Sequence, residues 1–220
     1  MAQTPLRSDA LFNVGDMSSA IRVLEELVRP EAPGPFPCFS KLHVVKALAS
    51  MARSGSIGRA GLAQVLGLGE GATRTLIGKL SKHGLVEVTR RGCSLTERGK
   101  ALWKEICSKL PKMTEIKAIP VPGKGFAVLV RGEARNVRLG INQRDEAVRA
   151  GARGAMILVF EQGKLRMPGV SEDVSVDFPE LFEEVMSVLE PKEGDVVVVA
   201  FADSDLIAEY GALAAALSFL

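Results

Sequence analysis

The chain has 220 residues, room for one large domain or two small ones, and its 47% hydrophobic and 25% charged residues describe a packed core under a soluble surface. No apolar run is long enough to span a bilayer and residues 1–9 lack the apolar core of a secretory signal, so a cytoplasmic protein without membrane contact is expected. The formal charge of +2 hides a division: residues 1–117 carry 18 Lys and Arg against 10 Asp and Glu, and residues 118–220 carry 10 against 16. A basic half that faces nucleic acid and an acidic half with another task fit that asymmetry.

In chain order, Met17 to Val28 has an apolar stripe of Ile21, Leu24, Leu27 and Val28 and predicts a helix, capped by Asp16 or Ser18. The proline-rich run 30–37 follows as a semi-rigid linker. Ser40 is placed to cap a second helix over Lys41 to Ala52. Ile57 to Leu66 predicts a short helix, Gly67-Leu68-Gly69 a tight turn, and Glu70 to Leu80 a further helix with Ala72, Leu76 and Leu80 on one face. His83-Gly84 ends it, because glycine tolerates the left-handed backbone of a helix C-terminus. Leu85 to Thr89, the turn Arg90-Arg91-Gly92 and Cys93 to Thr96 read as a hairpin with a basic tip, and Glu97 to Leu110 returns to helix.

Helix, tight turn, helix and basic hairpin is the order of a winged helix-turn-helix, which lays one helix in the major groove and a wing beside it. Double-stranded DNA is therefore the expected partner. Near the start of the second helix Gly71, Thr73, Arg74 and Thr75 are small or polar enough to approach base edges and phosphates. Arg74 is the candidate for guanine, whose O6 and N7 match its forked donors. Lys79 and Lys82 are candidates for phosphate, and Arg90 and Arg91 for phosphate or the minor groove. Glu70 is discordant, since a carboxylate repels phosphate unless it accepts from cytosine N4 or caps the helix. Residues 38–112 carry 14 Lys and Arg against 4 Asp and Glu, a local excess suited to a polyanion. The competing readings are solvated surface charges and a winged helix that contacts protein.

Beyond a boundary near residues 117–123, Gly125 to Val130 predicts a strand, Asn142 to Ala150 a helix, and Ala155 to Phe160 with Lys164 to Met167 a hairpin. Pro179 to Leu189 predicts an amphipathic helix, Asp195 to Phe201 a buried strand, and Leu206 to Leu220 a final helix. The expected fold class is α+β: an N-terminal helix and linker (1–37), a winged helix-turn-helix (38–112) and an α/β sandwich (118–220). The sandwich is expected to be ferredoxin-like, β-α-β-β-α-β plus a C-terminal helix. In this half Asn142 and Arg144 at a helix start, and Asp203 and Asp205 after the Val-rich strand, are weak candidates for holding a small-molecule effector. Helix capping is the plainer role for Asn142, Asp203 and Asp205. Gly211 and Ala215, among other small residues, would let a helix or sheet approach closely, either within the chain or across a homodimer.

Cys38, Cys93 and Cys107 form no CxxC pair, and with His43 and His83 they complete no metal site, so neither cofactor nor metal is expected. Cys93 in the wing is read as a packing residue. No Walker, Rossmann or Ser/His/Asp pattern occurs, and no histidine follows position 83, so catalysis is not expected.

Leu66-Gly67-Leu68, the run Lys79 to Val86 and Leu95-Thr96-Glu97-Arg98-Gly99 resemble winged helices of archaeal and bacterial transcriptional regulators, the last being similar to the "LTxxG" that follows the wing. The whole resembles archaeal winged-helix proteins with an uncharacterised C-terminal domain, which implies regulation without naming a ligand. Archaeal CTP-dependent riboflavin kinases also join a winged helix to a second domain of similar length, and supply the enzymatic alternative. Gly67-Leu68-Gly69-Glu70-Gly71 imitates a phosphate-cradling run, but it lies inside the helix-turn-helix. That kinase domain is a β-barrel, whereas residues 142–150 and 179–189 read as helices.

Overall fold

The computed structural model describes residues 17–30 and 37–220; Asp16, one of the two expected caps, and the proline-rich stretch 31–36 lie outside them. Helix α1 (Met17–Val28) buries Ala20, Val23, Leu24 and Leu27 against α2 (Lys41–Ser54) and α5 (Glu97–Lys109). Ser40 starts α2: its N–H donates to His43 Nδ1 at 3.0 Å, and its hydroxyl lies 3.0 Å from the same nitrogen. Helices α3 (Arg59–Leu66) and α4 (Glu70–Lys82) follow, then strands β1 (Val86–Thr89) and β2 (Gly92–Leu95) as an antiparallel hairpin. Ile57 was expected in the helix. It instead exchanges backbone hydrogen bonds with Cys93 at 2.8 and 3.0 Å, an isolated antiparallel bridge beside β2, and helix begins only at Arg59.

The Leu95-Thr96-x-x-Gly99 run has a mechanical basis. Leu95 is core, and the Thr96 hydroxyl accepts from the Gly99 N–H at 3.1 Å, capping α5. Thr96 also donates to the Gly84 carbonyl at 2.6 Å, tying the end of α4 to the start of α5. A Cβ on Gly99 would sit 2.0 Å from the Leu85 carbonyl oxygen, so only glycine lets the helix cross the strand there.

The second half is built on one five-stranded antiparallel sheet in the order β3-β4-β7-β5-β6, from β3 (Met113–Ile116), β4 (Lys124–Val130), β5 (Gly154–Glu161), β6 (Lys164–Arg166) and β7 (Val196–Ala202). Helix α6 (Ile141–Arg149) joins β4 to β5, α7 (Val174–Asp177) and α8 (Pro179–Leu189) join β6 to β7, and α9 (Asp205–Leu217) ends the described chain's secondary structure. Strand β3 and helix α7 had no counterpart in the sequence reading. Both are short, four residues each, and too brief to show a period.

The chain is α+β, but the ferredoxin-like expectation is corrected. That topology would place the first strand of the β-α-β-β-α-β run between the third and the last, with both helices on one face. Here β7 inserts between β4 and β5, and helices cover both faces. Val128, Val198 and Ile157 lie across from one another toward α6 and α9, while Leu129, Val197 and Leu158 point the other way toward α8. Val196 to Val199 has no polar face, so a sheet covered on one side would leave half of these valines in water.

Replacing Gly99 with alanine should destabilise the protein by about 3 kcal/mol or more, since a backbone rather than a side chain would have to move. Urea unfolding of G99A beside the wild type checks this; an unchanged midpoint would refute the close-approach account.

Candidate nucleic-acid interface

Helix α3 ends at Leu66, and Gly67 adopts φ +63° in the left-handed region, so the chain reverses and Gly69 starts α4 in extended backbone. The inner face of α4 is Thr73, Leu76, Ile77 and Leu80, all buried. The outer face carries Gly71, Arg74, Thr75, Gly78 and Lys82, three or four apart and all exposed. A Cβ on Gly71 or Gly78 would meet nothing within 4 Å, so this face is smooth, with the Arg74 and Thr75 side chains standing between two bare stretches of backbone.

Two of the expected contacts are corrected. Thr73 is 1% exposed, and its hydroxyl donates to the Gly69 carbonyl at 3.1 Å; the buried stripe is centred one residue later than the Ala72–Leu76–Leu80 reading implied. Lys79 is buried as well. Its ammonium donates to the Leu27 carbonyl at 3.1 Å and to that of Arg29, and lies 5.9 Å from the centre of the Phe39 ring. A cation satisfying carbonyls at the C-terminus of α1 opposes the negative end of that helix, and it is turned away from any ligand on the outer face. Gly71, Arg74, Thr75 and Lys82 stay on that face, with the Thr75 hydroxyl bonded to the Gly71 carbonyl at 3.0 Å.

Arg90 and Arg91 are exposed at the hairpin tip. The turn is fixed locally: Thr89 Oγ1 accepts from the Arg91 N–H at 3.2 Å, and Ser56 Oγ donates to the Arg91 carbonyl at 3.2 Å. Gly92 adopts φ +127°, where a Cβ would lie 2.7 Å from the Ile57 oxygen, so the tip of the hairpin is held against Ile57, two residues before α3. Cys93 is fully buried, and that burial pushes its thiol pKa up against a smaller lowering by the nearby Arg59 charge. The sequence reading missed Arg59. It is exposed at the start of α3 and lines a cleft of about 320 Å³ with Ala60, Glu70, Thr73 and Arg74. Glu70, in the first turn of α4, lines the same cleft as the two arginines, and its charge also suits the helix N-terminus. No local pattern marked Arg59, because it joins Arg74 only when the two helices cross.

The other half reaches this unit through α9. The Tyr210 hydroxyl donates to the Leu66 carbonyl at 2.8 Å, and Leu206 presses on Gly67, where a Cβ would lie 2.5 Å from the leucine. Glu209 forms a largely buried ion pair with Lys46 of α2. The His43 and Tyr210 rings pack with centroids 4.7 Å apart. Burial, reinforced by Glu209, holds the tyrosine well above its ordinary pKa, and burial lowers that of His43.

The weak effector candidates do not converge. Gly140, not Asn142, caps α6, and Ser204, not either aspartate, caps α9. Asp203 pairs with Arg153 at 3.3 Å and Asp205 with Lys124 at 3.9 Å. Arg144 and Arg153 line one cavity beside β5, which neither Asn142 nor Asp205 enters. The small-residue stripe of α9 is already occupied: a Cβ on Gly211 would lie 2.5 Å from Ala152 Cβ and 3.3 Å from Ala200 Cβ, so it packs on the chain's own sheet and is no dimer seam.

Residues 47–101 match the family model "PH0730-like, N-terminal domain", and residues 122–219 match a domain of unknown function, DUF4443. Among solved structures, the hypothetical protein PH0730 from Pyrococcus horikoshii OT3 is similar over 80% of this chain and 91% of its own, with a TM-score of 0.66 and 24% identity. The two share a fold. No curated protein matches. No helix among the described residues is long and apolar enough to cross a membrane.

Lys79→Met should cost about 2 kcal/mol of stability, the scale of a lost charged hydrogen bond, read as a lowered urea midpoint; an unchanged midpoint would free Lys79 from the structural role. A pH effect follows from His43. Its native pKa lies below the unfolded value, so the unfolded chain binds more protons and the stability contribution, complete above about pH 6.5, declines as pH falls below it. Thermal melts of wild type and His43→Asn from pH 7.5 to 5 should show a shallower decline in the variant.

Proposed function

We propose that the chain is a DNA-binding transcriptional regulator, with a winged helix-turn-helix over residues 38–112 and a second half that senses a small molecule or dimerises. The observation that carries this reading is the outer face of α4: Arg74 and Thr75 between the bare backbone of Gly71 and Gly78, with Lys82 further along. A helix entering a major groove needs such a face, because large side chains beside the reading residues would hold the backbone off the base edges. Arg74 reads guanine, Lys82 meets phosphate, and the Arg90-Arg91 tip reaches the backbone or minor groove beside the helix. Arg59 joins them as a phosphate contact.

Coupling runs through α9. Its Tyr210 and Leu206 rest on the last carbonyl of α3 and on Gly67, so a shift of α9 in the second half tilts α3 against α4. An effector acts to the extent that it binds one setting of α9 better than the other.

The test is retention on a fragmented genomic DNA pool across a salt series, followed by sequencing. One enriched motif whose affinity falls steeply with salt is the expected result. Arg74→Ala should weaken that site by about ten- to a hundredfold and relax preference at one base pair, while an Arg90→Ala, Arg91→Ala double variant should lower the salt slope by roughly two. Absence of retention at low salt would reject the reading and favour a protein-contact role; retention with no enriched motif would reject the regulator and leave a basic surface.

A further inference from the structure

The two halves of the chain leave between them a cavity of about 460 Å³, inside the ~300–1,000 Å³ range of small-ligand sites. One wall is helix α2, where Lys46, Ser50 and Arg53 recur at helical spacing and so share a face. The facing wall is the sheet. Glu115 of β3 stands opposite Phe126 of β4, and Met113 lies on the same face two residues earlier. Glu209 of α9 completes the polar lining, and Ile57 and Val65 add an apolar side at α3.

The charges in this cavity are unevenly satisfied. Lys46 and Glu209 pair with each other at side-chain exposures of only 10% and 19%. An ammonium carries three donors; that contact uses one, and Lys46 has no second acceptor among the described residues. Arg53 and Glu115 are exposed, and neither has an ion-pair or hydrogen-bond partner among the described residues. Two cations and two carboxylates thus line one space, one pair closed on itself and the other open.

We propose that this cavity holds the effector, and that the effector is a small zwitterion, an α-amino acid with an apolar side chain. Its carboxylate bonds Arg53 and the remaining donors of Lys46, its ammonium bonds Glu115, and its side chain lies on Phe126, Met113 and Val65. A dianion such as a phosphate ester would face two carboxylates, and a polyamine would face two cations. A neutral ligand would take water from all four charges and return nothing of either sign. A ligand bearing both signs complements both walls. Once bound, it ties α2 and α3 to β3, β4 and α9, and so favours the setting of α9 that holds those walls at this separation. This deepens the sensing role given above and rests on that reading for its purpose. Binding is measured without DNA, so its failure and that of the DNA reading are told apart.

Isothermal titration calorimetry of the full chain with L-leucine, L-methionine and L-phenylalanine is the test. The tightest of them is then compared with its own deaminated form, its own decarboxylated form and glycine. Each of these should bind at least ~10-fold more weakly, the scale of one charge-assisted hydrogen bond or one buried side chain. Arg53→Gln and Glu115→Gln, both at exposed positions, should each weaken the parent amino acid by a similar factor. The deciding readout is which probe each variant spares. E115Q should leave affinity for the deaminated form unchanged, and R53Q that for the decarboxylated form, a pattern that a merely structural role would not produce. No binding of any of the three amino acids overturns the proposal. Binding that ignores both variants overturns it by placing the site elsewhere. A deaminated or decarboxylated form that binds as well as its parent overturns the zwitterion.

Discussion

The architecture depends on α9 being packed on two sides at once. Its small residues lie on the sheet, where Gly211 meets Ala152 and Ala200, and its larger and polar residues lie on α2 and the end of α3. One buried core therefore runs from α1 through the helical unit to β4, β7 and β5. The Lys46–Glu209 pair at this contact holds two charges with side-chain exposures of 10% and 19%. Such a pair gives little net stability, but removing one partner strands the other and costs about 3–5 kcal/mol. It fixes how α9 meets α2 more than it adds to overall stability.

Through this contact one helix touches both the sheet and the turn that leads into the candidate surface. Leu206 follows β7 after a three-residue connection and abuts Gly67 four residues before Gly71. The distance along the chain from the sheet to the α3–α4 turn is short on both sides. The sheet is covered by α6 and α9 on one face and α8 on the other, so its central strands are packed through their whole thickness. The helical unit and the sheet are chemically unlike, basic and acidic, yet they are one packed body.

The candidate surface illustrates how a polar residue's role is settled by its neighbours. Lys79 and Lys82 look alike in sequence and lie on one helix, but 79 falls on the side where α1 ends with carbonyls to satisfy. Thr73 and Thr75 differ by two positions, which is enough to turn one into the core. Only α4's partners decide which phase of its 3.6-residue period faces inward. Arg59 shows the reverse case, a residue with no local mark that the crossing of two helices brings beside Arg74.

The sequence alone determined the elements with a long period or a hard stop: Pro179 to Leu189, matched to the residue, the hairpin around Gln162-Gly163 and the end of α4 at His83-Gly84, whereas the Thr96 cap reads in sequence as the end of a strand. The first three are written in local chemistry, in proline's fixed φ and in glycine's left-handed backbone. It also determined the charge division and the exposed residues of the hairpin tip. Tertiary structure decided the strand order, since Val196 to Val199 is equally apolar on both faces and carries no mark of which strands flank it. It decided that Gly211 packs inward and that Ile57 bridges to Cys93 of β2 instead of entering α3. Each of these is a contact between segments far apart in the chain, and a local pattern records only that a surface is to be buried, not what buries it.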